Sequence, residues 1–289
     1  MIARGAASSG VALVVAGMIG QELGAAIAVR VFPETGPLGM VMLRLVFSAV
    51  LLLAIARPRL AGRTRRDWAA VLAFGVVLAA MNSLFYLAIE RLALGVAVTI
   101  EVLGPLVLSI VASRRASAWL WAVLALGGVV ALGGGGWESL DPLGVVFALA
   151  AALTWALYIL ASARVGRTFE RIDGLALAMA VGAVLSLPLG VATAGSALVR
   201  IDVLALGAAV AVLSSALPYA LELIALRRIS ASVFGILMSA SPAIAALVGL
   251  AVLGQQLSWL QVAGIVLVIG ASAGAVASAG RRAVAEAVA

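Results

Sequence analysis

Apolar and polar positions divide this chain into ten apolar blocks separated by short polar breaks. The blocks lie near Gly10–Val29, Gly36–Ala56, Trp68–Ile89, Leu94–Ala112, Ala118–Leu132, Pro142–Ala161, Gly174–Val191, Val203–Leu226, Ser232–Leu253 and Trp259–Ala279. Most run to about 18 to 22 residues, the length of helix that crosses a hydrocarbon core about 30 Å thick. The breaks carry turn chemistry: Phe32-Pro33-Glu34, Arg57-Pro58-Arg59, the glycine run Gly133–Gly136 and Asp141-Pro142. The pattern predicts an all-α integral membrane protein of ten transmembrane helices.

Composition agrees. Of 289 residues 65% are hydrophobic and only 11% charged, with a mean hydropathy of +1.25; a soluble domain carries about a quarter of its residues charged. The net charge of +7 does not point to nucleic acid, because the basic residues sit in short loops rather than on an aromatic-studded basic face. All of them are arginine, and the absence of histidine and cysteine removes histidine proton switches, thiol chemistry, disulfides and the usual zinc ligands. The glycine run has no preceding strand and no following lysine, so it is a connector and not a phosphate loop. No cofactor is expected.

Arginine placement predicts the orientation. With the N-terminus in the cytoplasm, the cytoplasmic side receives Arg4, Arg57, Arg59, Arg63, Arg65, Arg66, Arg114, Arg115, Arg164, Arg167, Arg171, Arg227, Arg228, Arg281 and Arg282. The other side receives only Arg30, Arg91 and Arg200, and Arg44 falls inside a helix. An even number of crossings with both termini cytoplasmic follows.

The two halves also resemble each other. Residues 92–105 align with residues 229–242 at a constant offset of 137, ending on Pro105 and Pro242, and Ser117-Ala-Trp-Leu120 aligns with Leu257-Ser-Trp-Leu260. Five helices per unit is an odd number, so units 1-136 and 137-289 are expected to enter the membrane in opposite senses, the plan of many secondary transporters. A membrane enzyme is not indicated, for want of an intramembrane histidine, paired aspartates or a Ser/Lys dyad. A channel or a structural membrane protein remains an alternative, as does another cargo on the same fold: another metabolite or drug, or a sugar phosphate or nucleotide sugar.

Polar groups at bilayer depth are costly, about 2.5 to 3.5 kcal/mol for an acid, and each demands a reason. The charged candidates are Glu22, Arg44, Glu101 and Glu222, accompanied by Gln21, Asn82, Ser83, Tyr86, Trp155, Tyr158, Ser214, Ser215 and Tyr219. Glu101, Pro105 and Ser109 recur at helical spacing on one face, and Pro105 frees the Glu101 carbonyl one turn back. Glu101 serves either a ligand or a structural ion pair with Arg44. Glu222 either works in a cavity or is solvated near the interface; Glu22 is a functional acid or a carboxyl that stays neutral. Asn82 and Tyr86 on one helix, and Trp155, Tyr158 and Ser162 on another, either wall a cavity or pack helices and anchor interfaces.

Several of these segments resemble EamA-type proteins of the drug/metabolite transporter superfamily, and among them the bacterial inner-membrane threonine/homoserine exporters. The likeness runs through 82–89, 94–106 and Ser113-Arg-Arg115, then 155–160, 213–222 and 235–239. It implies a ten-helix inverted-repeat exporter in the inner (plasma) membrane, with a central cavity that moves small amino acids outward against protons. The matching positions are Gln21, Arg44, Asn82, Tyr86, Glu101, Trp155, Tyr158, Pro218, Tyr219 and Glu222, with Pro105, Pro242 and Pro218 as expected hinges. Two positions depart from the pattern: Ser241 and Gln255 stand where such exporters commonly carry acids.

Overall fold

The computed structural model describes residues 2–113, 118–132, 140–170, 172–226, 228–229 and 231–288. The readings made on Arg114, Arg115, Ser117, Gly133–Gly136, Arg171 and Arg227 lie outside these. The described residues form helices and no strands: α1 Ile2–Ala56, α2 Arg65–Ile89, α3 Leu94–Glu101, α4 Leu103–Ser113, α5 Ala118–Leu132, α6 Pro142–Val165, α7 Asp173–Ala194, α8 Ile201–Ala211, α9 Leu217–Leu226, α10 Ala231–Met238, α11 Ser241–Leu253 and α12 Trp259–Val288. A 3-10 turn at Gly195–Val199 leads into α8, and a π turn at Val212–Ala216 joins α8 to α9. Eight helical segments of the described chain are long and apolar enough to cross a membrane, and α5 adds a shorter apolar helix at Trp119–Leu132.

The expected pair Gly10–Val29 and Gly36–Ala56 is continuous as α1, folded at Gly36, whose φ of 67° and ψ of 163° leave the helical region. Pro33 and Pro37 flank the bend and each removes a backbone donor, while glycine takes the positive φ without a Cβ clash. The two arms run in opposite directions. Along the first, Gly10 lies against Ile229, Gly17 against Pro218 and Gly24 against Ser214; beyond the bend, Gly39 meets Ala194 and residue 42 meets Gly190.

Expected helix Leu94–Ala112 is interrupted at Val102, between α3 and α4, and Ser232–Leu253 is interrupted at 239–240, between α10 and α11. Each break lies just ahead of a proline, Pro105 or Pro242, whose ring cannot accept the carbonyl of residue i−4 in helical position. That carbonyl belongs to Glu101 in one case and Met238 in the other.

Large apolar side chains cover the outside of the bundle, among them Val50, Leu72, Trp119, Leu126, Leu153, Val184, Leu247 and Val266, all exposed. Such a surface matches acyl chains and not water. Inside, small residues let the helices approach: a Cβ built on Gly104 would lie 1.9 Å from the Ala152 carbonyl oxygen. The protein is a multi-pass membrane protein.

Described contacts sort the loops into two ends. At one, Arg63 donates to the Thr168 carbonyl and Arg228 to Ser9. At the other, Arg30 donates to the Val252 carbonyl, and the Gln255 side-chain oxygen accepts from the Leu94 N–H at 2.9 Å. There Arg91 also pairs with Asp141 at 3.1 Å, and Arg200 with Glu34 and Asp202. The hydrogen bond from Arg91 holds the Asp141 carboxyl below the usual carboxylate range, and the same carboxyl caps α6 through the N–H groups of Leu143 and Gly144.

Candidate functional site

A cavity of about 370 Å³ opens in the centre of the bundle. Every helix but α5, α7, α8 and α11's later turns contributes to its wall, and it gathers the costly polar residues: Gln21, Glu22 and Arg44 from α1, Asn82 from α2, Glu101 from α3, Trp155 and Tyr158 from α6, Tyr219 and Glu222 from α9. Pro105 and Ser109 of α4 line it as well. Nine polar positions from five helices converge because each leaves lipid only by facing this one space.

Arg44 carries the positive charge of the cavity. Its Nη1 donates to the Tyr86 hydroxyl at 3.5 Å and its Nη2 to the Ser214 carbonyl at 3.2 Å. The guanidinium carbon stands 5.5 Å from the centre of the Tyr86 ring. Ser214 can accept because Pro218 has no N–H to offer the carbonyl four residues back, and the π turn at 212–216 displaces that carbonyl from the helix. Pro218 itself packs against Gly17 and not on the cavity wall. No carboxylate lies within 4.0 Å of Arg44 among the described residues, whose ion pairs are all at the bundle's end, and Arg44 Nε is buried without a hydrogen-bond partner. The structural ion pair with Glu101 is therefore not formed.

Tyr86 is fully buried behind Arg44, between Phe32 and Phe85 at centroid distances of 5.6 and 6.1 Å. It orients the arginine and does not line the cavity. Asn82 does line it, and its amide donates to the Leu78 carbonyl at 2.8 Å, one turn back. Tyr158 packs against Phe74 with ring centroids 5.2 Å apart and tilted by 52°, and its hydroxyl neighbours that of Tyr219 and the carboxyl of Glu222. The Ser162 hydroxyl donates to the Ile159 carbonyl of its own helix, and Ser162, Ser83 and Ser215 stay off the cavity wall. Pro242 is buried at the start of α11.

The pairing of Glu22 with Ser241 escaped sequence reasoning. Glu22 is 2% exposed, and the Ser241 hydroxyl donates to its Oε1 at 3.0 Å across 219 residues of chain. Glu22 and Glu101 are electrostatic neighbours, with Arg44 acting on both. The site therefore offers two acids beside one partly engaged guanidinium, with aromatic groups and a third acid farther along. A small molecule that bears both an ammonium and a carboxylate matches this set of charges.

The EamA-like transporter family model matches residues 142–277. The threonine/homoserine exporter RhtA of Salmonella typhimurium (strain LT2) is 38% identical over 255 residues, covering 88% of this chain and 86% of that protein. RhtA of Escherichia coli (strain K12) is 39% identical over 253 residues, covering 87% of this chain and 85% of its own. A crystal structure superposes with a TM-score of 0.63 at 19% identity, over 94% of this chain and 98% of that one, and so shares the fold. An identity of 38 to 39% across nearly the full length of both partners leaves one assignment: the chain belongs to the EamA-like transporter family and is a transporter rather than an enzyme.

Proposed function

We propose that the chain is a secondary exporter of small zwitterionic amino acids, threonine- or homoserine-like, driven by antiport of protons. The observation that carries this reading is the central cavity, where the partly unsatisfied Arg44 stands among Glu22, Glu101 and Glu222. Arg44 receives the substrate carboxylate through its Nη groups, each of which spends one N–H on the protein and keeps a second. Glu101 takes the substrate ammonium or exchanges a proton, and the carbonyl that Pro105 frees lies on the same residue. Asn82, Trp155, Tyr158, Tyr219 and Gln21 shape the space around the side chain, and Glu222 is the acid nearest the end where α9 finishes.

The reading includes ten crossings in two inverted units, 1-136 and 137-289, with both termini in the cytoplasm of a bacterial cell and the chain in its inner membrane. Support for ten comes from the reversal of α1 at Gly36 and from the short apolar α5, added to the eight long segments. Support for the repeat comes from the breaks before Pro105 and Pro242, which coincide at the 137-residue offset. The arginines favour the orientation: Arg57, Arg59, Arg63, Arg164, Arg167 and Arg228 belong to one end, Arg30, Arg91 and Arg200 to the other. Pro105, Pro218 and Pro242 act as hinges for alternating access.

Counterflow in proteoliposomes tests the cargo. Labelled threonine or homoserine should exchange, whereas sugar phosphates, which need several inward arginines where this cavity has one, should not. Glu101→Gln should then reduce pH-gradient-driven export; undiminished export would remove Glu101 from its role. Exchange of an unrelated metabolite or drug alone would move the chain to another cargo on the same fold.

A further inference from the structure

Glu22 is the cavity acid that the substrate least needs. A zwitterion brings one ammonium and one carboxylate, which Glu101 and Arg44 can meet. Glu222 stands apart, beside Tyr158 and Tyr219. Glu22 remains, almost sealed, and among the described residues its hydrogen-bond partner is the hydroxyl of Ser241. Ser241 is no ordinary wall residue. It opens α11 immediately after the break at 239–240 and immediately before Pro242, and it faces Glu22 across the boundary between the first and second halves of the sequence.

Resting on the exporter reading, we infer that Glu22 carries the exchanged proton while Glu101 holds the substrate ammonium, and that Ser241 is the positioning residue that passes the charge state of Glu22 to the break ahead of α11. The Ser241 hydroxyl donates to Glu22 Oε1 at 3.0 Å, a bond that is charge-assisted when Glu22 is ionised. When Glu22 takes up a proton, it gains an O–H while its carbonyl oxygen stays an acceptor, so the bond from Ser241 loses its charge assistance and the hydroxyl is held less firmly. The switch therefore acts on a segment already short of one helical bond, since Pro242 denies a donor to the Met238 carbonyl. Arg44 from the second arm of α1 and Glu101 from α3 act on or with Glu22, and Tyr158 from α6 with Tyr219 and Glu222 from α9 share the cavity wall. Among the described residues, α2, the break at 239–240, α11 and α12 bring uncharged polar groups to the cavity: Asn82, Ser239, Ser241 and Ser272. Arg44 alone supplies countercharge, so the two carboxylates ionise together only at mutual cost, and occupation of Glu101 by an ammonium relieves it.

The experiment compares wild type, Glu22→Gln, Glu101→Gln and Ser241→Ala as full-length protein in proteoliposomes with labelled threonine. Glu22→Gln is nearly isosteric and keeps an oxygen for Ser241. It should lose pH-gradient-driven accumulation and threonine-induced proton flux, while threonine exchange at equal pH continues. Glu101→Gln should lose exchange as well. Ser241→Ala should shift the pH profile of driven transport and leave exchange in place. Proton flux that survives in Glu22→Gln would overturn the assignment, and so would loss of its exchange by a protein that stays monodisperse in detergent. Infrared difference spectra recorded against pH require no substrate: a carboxylic acid band absent from Glu22→Gln and present in Glu101→Gln is expected. A band missing only from Glu101→Gln would overturn the inference. If wild type exchanges no amino acid, the cargo reading fails by itself, and the infrared result still decides where the proton resides.

Discussion

Arg44 shows how one side chain can be both anchored and available. Its two Nη groups each spend one N–H, on the Tyr86 hydroxyl and the Ser214 carbonyl, which fixes the plane of the guanidinium, and each keeps a second N–H, while Nε is buried. Removing the fork from a bound carboxylate forfeits a charge-assisted bond of about 1.5 to 3 kcal/mol. Arg44→Gln is thus expected to weaken apparent affinity for threonine roughly 10- to 100-fold, and Arg44→Lys less, since it keeps the charge without the planar fork. Saturation curves for counterflow measure both. At this scale much of the site was legible in the sequence. Gln21, Arg44, Asn82, Glu101, Trp155, Tyr158, Tyr219 and Glu222 all reach the cavity, because a polar group inside an apolar block has few other places to go. Tyr86, like Ser83 and Ser215, does not, and its full burial behind Arg44 depends on Phe32 and Phe85, partners that no local spacing announces. The bond between Glu22 and Ser241 was illegible for the same reason: it joins residues 219 positions apart.

Among elements, the interruptions matter more than the helices. Periodicity placed the apolar segments well but drew each as one rod, and three of them are broken or distorted at 102, 212–216 and 239–240. Prolines mark all three, yet each distortion falls ahead of its proline, because the fault arises at the carbonyl and not at the ring. The π turn has a use of its own: it delivers the Ser214 carbonyl to Arg44. Pro218→Ala would restore an N–H that competes for that carbonyl. The expected result is a helix closer to regular, a less firmly held arginine and a raised KM with protein yield unchanged, read from initial rates of exchange. An unaltered KM would separate the π turn from substrate binding.

For the whole molecule, the cavity walls are unequal in depth. The lining extends through Ser109, Glu222, Phe234 and Val276, positions near the end where α4 and α9 finish and α10 begins. The opposite end is drawn together by Arg30 on the Val252 carbonyl and by Gln255 on the Leu94 N–H. Sequence could indicate which loops share an end through the arginines, but which end is closed depends on contacts between distant segments. Gln255→Ala should loosen the closed end. Because the chain has no cysteine, a single Cys placed at residue 93 reports this directly, and its labelling by a membrane-impermeant maleimide should quicken in the Gln255→Ala background. An unchanged labelling rate would remove Gln255 from the closure.

The closed end also relies on main-chain partners. Arg30 and Gln255 grip a carbonyl and an amide that every non-proline residue possesses, so positions 94 and 252 can drift among apolar types without unlocking anything. Mutational fragility is thereby concentrated in two side chains, and a population of variants would be expected to wear away everywhere along that rim before it lost the clasp.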